Sequence, residues 1–195
     1  MSEFRVDKIT NRTGDTGPQI CGVSTFSGTS GMAMPSGPTE YRGGRGRGIF
    51  AGGYNPSAYV NTIDFITIAT TGNASDFGDI TSTRADLDGS SSPVRAVFGG
   101  GSTPTKVNTI DYITIAATGN AVDFGDLTVA RAGSQTGSTQ TRGVFIGGSP
   151  TADTRKTIDY ITISSSGDAI DFGESGFEVD IGASVSDSHG GLGGF

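Results

Sequence analysis

Residues 109–115 read TIDYITI, and this stretch decides the fold because the chain carries it in three copies. The other two copies are TIDFITI at residues 62–68 and TIDYITI at residues 157–163. The aspartates of successive copies, Asp64, Asp111 and Asp159, are 47 and 48 residues apart. An internal period of this length predicts a repeat architecture, in which each unit packs against its neighbours.

The repeated stretch reads as a β-strand that is buried on both sides. Side chains alternate between the two faces of a strand, so Ile110 and Tyr112 share one face while Asp111 and Ile113 share the other. Both faces therefore carry large apolar groups, unlike a sheet that has one face in water. A small sheet of this kind needs a similar sheet on each side, which predicts a stack of sheets.

Every copy stands in the same sequence context. Before it come an arginine, a short apolar run and a glycine pair (residues 47–53, 95–101 and 142–148), followed by a variable loop. After it come a short turn such as Thr118-Gly119-Asn120, a strand containing Asp-Phe-Gly, and a polar stretch that leads to the next arginine. We expect repeats at about 47–94, 95–141 and 142–189 within a β domain spanning 47–195.

These parts resemble the kelch repeat, which has a strand ending in a glycine pair, then aromatic-bearing strands and a downstream arginine. Arg84 and Arg131 match that arginine, whereas the third copy has Val179. Phenylalanine also replaces the usual tryptophan, at Phe77, Phe124 and Phe172. The resemblance implies an all-β fold of three propeller-blade repeats.

Three blades are fewer than the four to eight of an ordinary propeller. Closure would then come from pairing with another chain, or the sheets would remain open and be covered by partners. A single-chain fold with pseudo-threefold symmetry, a β-prism or β-trefoil, is the rival interpretation. The terminal stretch 189–195 lies where a fourth opening strand would begin, and we expect it to complete the last blade or cross to a neighbour.

Residues 1–46 differ in composition from the repeats. They are rich in Gly, Ser, Thr and Pro with isolated apolar residues, too few to form a core of their own. We interpret them as an extended docking arm lying on another subunit, with a flexible linker as the alternative. The segment 41–48 is similar to an RGG tract of RNA-binding proteins, but its arginines are better explained as flanking the first repeat.

The composition argues against several classes of protein. The formal net charge of −7 argues against binding nucleic acid through a broad basic face. Cys21 is the single cysteine, which excludes an intrachain disulfide framework. The first residues lack an apolar signal core, and no run approaches the ~18 apolar residues of a membrane span. We expect a soluble protein that is not inserted in a membrane.

Candidate chemical groups each have a structural explanation. His189 is the only histidine, so a catalytic triad or a multi-histidine metal site would depend on it; its position matches a degenerate copy of the earlier Thr-Arg-Gly. The Asp86-Leu87-Asp88-Gly89 stretch lacks the further ligands of a calcium loop. The pairs Asp76/Asp79 and Asp123/Asp126 imitate glycosidase carboxylates but recur once per repeat, so we expect them to hydrogen-bond the turns of the sheets. We therefore predict no catalytic, cofactor-binding or metal-binding residue and no enzymatic activity.

A second resemblance covers the whole chain. Repeats of the form TIDYITIAATGNAVDFGDLTVAR behind an N-terminus containing VDKITNRTG are similar to virion structural proteins of tailed bacteriophages, particularly those of marine cyanobacteria. The resemblance implies a particle-surface component, decorating the capsid or belonging to a tail or fibre. It would be assembled in the host cytoplasm, form a homo-oligomer and contact other virion proteins.

The alternative function is a carbohydrate-binding module that recognises the host surface. Its sites would lie in the variable loops at 54–61, 101–108 and 149–156. Only the first loop offers aromatic residues on which a sugar ring could stack, Tyr54 and Tyr59. Three equivalent glycan sites are therefore not expected.

Overall fold

The computed structural model describes residues 46–149 and 155–186, and the structural statements below concern those residues. Every regular element in this part is a strand. The eleven strands are β1 (Arg47–Tyr54), β2 (Tyr59–Thr67), β3 (Ser75–Asp79), β4 (Asp88–Ser91), β5 (Arg95–Gly99), β6 (Thr109–Thr114), β7 (Val122–Asp126), β8 (Gln135–Ser138), β9 (Arg142–Ile146), β10 (Thr157–Thr162) and β11 (Ile170–Glu174). The described residues thus contain no helix that could cross a membrane.

The strands form three antiparallel sheets. The first has the order β1-β2-β3, the second β4-β5-β6-β7 and the third β8-β9-β10-β11. The repeated stretch supplies β2, β6 and β10, an inner strand of each sheet, as its two apolar faces predict. The expectation of an all-β fold is confirmed, whereas the kelch type of the repeat stays a prediction.

The sheets do not coincide with the repeats counted from arginine to arginine. The last strand of such a repeat belongs to the sheet of the following repeat. The polar stretch before Arg95 forms β4, which pairs with β5 of the following sheet, and β8 pairs with β9 in the same way. The first sheet has no counterpart of β4 among the described residues.

A bulge recurs where the Asp-Phe-Gly strand meets the repeated strand. In the second sheet, Ile110 pairs with Gly125 while Asp111 pairs with Asp123, so Phe124 is the extra residue. Gly125 follows it at a φ of 144°, a left-handed region in which glycine avoids the strain that a side chain would bring. The same break in register occurs in the first and third sheets.

The core lies between the sheets rather than within one of them. Between the first and second sheets, Ile63 and Phe77 pack with Phe98 and Ile113. The second core cluster joins the second and third sheets and contains Val97, Ile110, Phe124, Leu127, Phe145, Ile161, Ile163 and Ala169. Neighbouring sheets therefore bury the apolar faces that they turn towards each other, as the sequence predicts.

The three sheets do not close into a ring. Phe50 on the first sheet and Phe172 on the third are both exposed, although the corresponding residues between the sheets are buried. The three sheets of the described residues therefore form an open stack. The predicted docking arm with Cys21, most of the RGG-like segment, part of the third variable loop, and the terminal stretch with His189 lie outside the described residues.

Candidate functional site

Buried ion pairs join neighbouring sheets, and they are the most constrained polar groups of the described chain. The guanidinium of Arg84, which follows the first sheet, lies 2.9 Å from a carboxylate oxygen of Asp111 on β6. Thr81 donates to the same carboxylate through its hydroxyl at 2.6 Å and its backbone N–H at 3.2 Å. Both side chains of the ion pair are inaccessible to solvent.

The next junction repeats this arrangement. Arg131 lies 2.8 Å from Asp159, and Thr128 donates to Asp159 through its hydroxyl at 2.7 Å and its backbone N–H at 3.1 Å. Each buried carboxylate therefore accepts two hydrogen bonds from a threonine and pairs with an arginine, and all these groups belong to the segment that follows the preceding sheet. A buried charge needs such pairing, and both oxygens are thereby committed to holding the sheets together.

The two arginines differ in one contact. Arg84 Nη1 donates to the Ser82 hydroxyl at 3.1 Å, but Val129 stands in the position of Ser82 next to Arg131. Among the described residues, Nη1 and Nε of Arg131 have no acceptor although they are buried. Burial also holds the pKa of Arg131 below its usual value, against the opposing attraction of Asp159.

The pKa of the Asp88 carboxyl group is raised. Burial moves its pKa from 3.8 to about 6, although a hydrogen bond from the Ser134 hydroxyl, 2.8 Å away, and nearby Arg131 favour the charged form. Asp86 adds a smaller like-charge contribution in the same direction as burial. The Asp86–Gly89 stretch contacts the next repeat, since the Asp86 carbonyl accepts a backbone hydrogen bond from Gly133.

The arginines that open each repeat also connect sheets. Arg95 stacks over the Tyr112 ring at 4.5 Å and donates to the Ile163 carbonyl of the third sheet at 3.1 Å. Arg47, the last arginine of the RGG-like segment, stacks over Phe65 at 4.5 Å and donates to the Ile115 carbonyl at 2.6 Å. These contacts give Arg47 a structural role at the first repeat.

Backbone groups complete each junction. The Gly119 N–H donates to the Phe77 carbonyl, and the Ala121 N–H donates to the Asp79 carbonyl, each at 2.7 Å. In return, the Asp79 N–H donates to the Asn120 side chain at 3.1 Å. The contact is so close that a Cβ at Gly78 would lie 2.5 Å from the Gly119 carbonyl.

The second junction uses the same groups. Gly167 and Ala169 donate to Phe124 and Asp126 at 2.7 and 2.8 Å, and the Asp126 N–H donates to Asp168 at 3.0 Å. The Asp-Phe-Gly strands therefore meet the next sheet through their backbone. Asp76 and Asp123 are exposed on them, and the described part of the chain contains no group of three or more His, Cys, Asp or Glu side chains that could hold a metal ion.

The first variable loop presents the aromatic pair expected from the sequence. Tyr54 and Tyr59 meet edge to face, with ring centroids 5.2 Å apart. Asn55 fixes the loop between them, because its side-chain oxygen accepts hydrogen bonds from the backbone of Ser57 at 2.9 Å and Ala58 at 2.7 Å. Tyr54 is exposed at the end of β1, so one face of the pair is open to solvent.

The comparisons with known proteins assign the chain to no family. No protein-family model matches the chain, and no curated protein matches it. The sequence alone did not predict that Arg84 pairs with Asp111. Both positions recur with the repeat, and this recurrence was the available signal.

Proposed function

We propose that this chain is a non-enzymatic structural protein of a bacteriophage particle. In this proposal its kelch-like β-repeat domain is displayed on the particle surface, and residues 1–46 dock it to other virion proteins. The observation that best supports a structural role is that the buried polar groups connect one sheet to the next. The Asp111 and Asp159 carboxylates, the most deeply buried acids described, each accept two hydrogen bonds from a threonine and pair with an arginine across a sheet junction.

The particle assignment rests on the sequence motifs. The leading VDKITNRTG and the three TID[FY]ITI repeats resemble virion proteins of tailed bacteriophages. The protein would be made in the host cytoplasm and incorporated as capsid decoration or as part of a tail or fibre. The net charge of −7 favours protein partners over nucleic acid.

Purified particles provide the test of this proposal. Mass spectrometry of density-purified virions is expected to detect the chain at a fixed copy number, and cryo-electron microscopy should place its sheets on the particle surface. Removal of residues 1–38 is expected to abolish incorporation while the sheets still fold. A chain that is abundant in infected cells but absent from purified particles would contradict the proposal.

A carbohydrate-binding module is the second candidate, and the exposed Tyr54–Tyr59 pair is the observation in its favour. Aromatic rings stack on the apolar faces of sugars, and Asn55 holds this pair in a fixed loop. Binding of host-surface polysaccharide should then fall sharply in Tyr54→Ala. Tyr160→Ala, a change of the same kind in the third sheet, is the control. Equal binding by all three proteins would dismiss this candidate.

A further inference from the structure

The two outer faces of the stack carry groups that the internal junctions bury. On the side that faces the next sheet, Phe77 and Phe124 are 2% and 3% exposed, but the corresponding Phe172 is 54% exposed. On the side that faces the preceding sheet, Phe98 and Phe145 are 6% and 0% exposed, but Phe50 is 56% exposed. Among the described residues, therefore, no sheet follows the third sheet and none precedes the first.

The hydrogen-bonding groups of these faces are complementary in the same way. The Phe172 and Glu174 carbonyls correspond to those of Phe77 and Asp79, but no turn residue of the described chain donates to them. The turn of the first sheet holds the matching donors, the N–H groups of Gly72 and Ala74, and these have no acceptor in the described part of the chain. One outer face thus has the acceptors for which the other has the donors.

A segment that belongs to no sheet, residues 183–186, lies beside the third sheet. Thr136 on β8 donates its hydroxyl to the Gly89 carbonyl of β4 at 2.5 Å, and Ser184 donates in the same manner to the Thr136 carbonyl. Residues 183–186 therefore follow β8 as β8 follows β4. They occupy the position of a fourth sheet's first strand, and the first sheet is the one that lacks such a strand among the described residues.

We propose that two copies of this chain join head to tail, with the third sheet of each copy packed against the first sheet of the other. Phe172 of one copy would be covered by Phe50, Ile66 and Ile68 of the second copy. Residues 183–186 would pair with β1 of the second copy and complete its sheet to four strands. The result is a closed ring of six sheets, within the range of four to eight that propellers adopt.

The arginine contacts support the same partner. Arg47 and Arg95 each donate to a carbonyl of the following sheet, those of Ile115 and Ile163. Arg142 stacks over Tyr160 at 4.5 Å in the same geometry, and no described residue accepts from its guanidinium. In the ring, the Ile68 carbonyl of the second copy is the corresponding acceptor.

The junction between copies differs from the internal ones at several positions. Ser175 stands where Ile80 and Leu127 stand, and Gly176 stands where Thr81 and Thr128 stand. Val179 stands where Arg84 and Arg131 stand, so Asp64 of the second copy receives no arginine. Apolar burial and backbone hydrogen bonds would hold this junction without a buried ion pair. It should therefore dissociate before the sheets unfold and depend little on salt. The inference is independent of the particle assignment, since it concerns only the two outer faces.

Sedimentation equilibrium of the full chain tests the proposal. The wild type is expected at twice the chain mass of 19.8 kDa. Phe172→Glu and Phe50→Glu each place a charge in one outer face, and each should raise the dissociation constant at least about 30-fold, the effect of losing a central interface residue. Both residues are exposed in the single chain, so both variants should retain the wild-type circular dichroism spectrum.

Two further variants serve as a control and as a second test of the interface. Phe177→Glu is the matched control, because Phe177 is exposed at a position that corresponds to Val129, which the internal junction also leaves uncovered. It should remain dimeric. Gly173→Ala is the second disrupting variant, since its Cβ would meet Gly72 of the second copy as a Cβ at Gly78 would meet Gly119.

A mixing experiment establishes that the contact is head to tail. A mixed dimer of Phe172→Glu and Phe50→Glu contains one junction in which both changes meet and one wild-type junction. The mixture should therefore dimerise where neither variant does alone. A wild type that stays at the single-chain mass would overturn the proposal. So would a Phe50→Glu variant that dimerises like wild type, a mixture that remains monomeric, or open-ended polymers.

Discussion

Arg131 and Asp159 lie 2.8 Å apart, and neither side chain is accessible to solvent. Arg131 follows the second sheet, whereas Asp159 belongs to the third, so the pair crosses a junction that the sequence separates by 28 residues. Together with the Arg84–Asp111 pair, it connects the three sheets through buried ion pairs in addition to their apolar contacts. The third repeat has no such arginine, which distinguishes the outer face from the internal junctions.

Removal of one member of this pair should strongly destabilise the chain. Arg131→Met leaves the Asp159 carboxylate buried without its counter-charge, a change that costs about 3–5 kcal/mol. The double variant Arg131→Met/Asp159→Leu should recover much of this loss, since it leaves no buried charge. Urea unfolding of both single variants and the double variant measures the coupling free energy.

The control for this cycle is Arg155→Met. Arg155 lies 3.6 Å from Glu178 and 3.4 Å from Asp180 in pairs that solvent reaches, and exposed ion pairs contribute at most about 1 kcal/mol. Equal losses in Arg131→Met and Arg155→Met would show that burial of the ion pair is unimportant.

Two glycines with the same backbone geometry should respond differently to a methyl group. Gly125 and Gly173 have φ values of 144° and 135°, so alanine strains the backbone at both, by about 1–2 kcal/mol. A Cβ at Gly125 would also lie 2.5 Å from the Gly167 carbonyl, whereas a Cβ at Gly173 meets nothing within 4 Å of the same chain. Gly125→Ala should therefore cost about 1–3 kcal/mol more.

The measurement requires the monomer, so both substitutions are made in the Phe172→Glu background and unfolded in urea. If Gly173→Ala lost as much stability as Gly125→Ala, the close approach of the second and third sheets would be wrong.

The sequence predicted the repeats and the strands because their signals are periodic. The repeated TID[FY]ITI stretch became the inner strands, and its apolar faces became the contacts between sheets. The polar stretches 88–91 and 135–138 were not expected to be strands, because Gly, Ser, Thr and Gln have no alternating apolar pattern there. They pair as strands since β5 and β9 offer them a free edge.

The contacts between sheets could not be predicted from the sequence in the same way. Arg131 and Asp159 were recognised as recurring residues, but their pairing depends on how one sheet stacks on the next. The carboxylates of the Asp-Phe-Gly strands were expected to bind turns. In the structure it is the backbone of Asp79 and Asp126 that meets the following turn.

Arg95 should contribute more to the stability of the single chain than Arg142. Both stack on a tyrosine at 4.5 Å, but only Arg95 also donates to a carbonyl of the next sheet in the described chain. In the Phe172→Glu background, Arg95→Met should cost about 2 kcal/mol, from the lost cation–π contact and the hydrogen bond of a charged group. Arg142→Met should cost about 1 kcal/mol or less. Thermal unfolding distinguishes the two, and equal losses would contradict the assigned hydrogen bond.

The raised pKa of Asp88 predicts a pH dependence of stability. A carboxyl group with a pKa of about 6 in the folded chain and 3.8 when unfolded binds its proton more tightly in the folded state. Stability should therefore fall as pH rises from about 4 to 6 and remain constant above that range. The contribution is about 1 kcal/mol once solvent screening of this partly exposed group is allowed for.

Asp88→Asn isolates this contribution, because asparagine is neutral and still accepts the Ser134 hydrogen bond. The difference in unfolding free energy between wild type and variant should change across pH 4–6 and be flat from pH 7 to 8. A difference that does not vary with pH would show that Asp88 titrates alike in both states.

Val129→Ser should stabilise the second junction. Ser82 accepts a hydrogen bond from Arg84 Nη1 at 3.1 Å, whereas Val129 leaves the buried Arg131 Nη1 without an acceptor among the described residues. A hydroxyl at position 129 supplies the missing acceptor, and a hydrogen bond to a charged group is worth about 1.5–3 kcal/mol. The gain should be smaller, about 1 kcal/mol, since the apolar contacts of Val129 are lost. The reciprocal change, Ser82→Val, should destabilise the first junction, because Arg84 Nη1 then loses its partner. Urea unfolding of the two variants tests the comparison. If both changes shifted stability in the same direction, side-chain polarity at these positions would not act through the arginines.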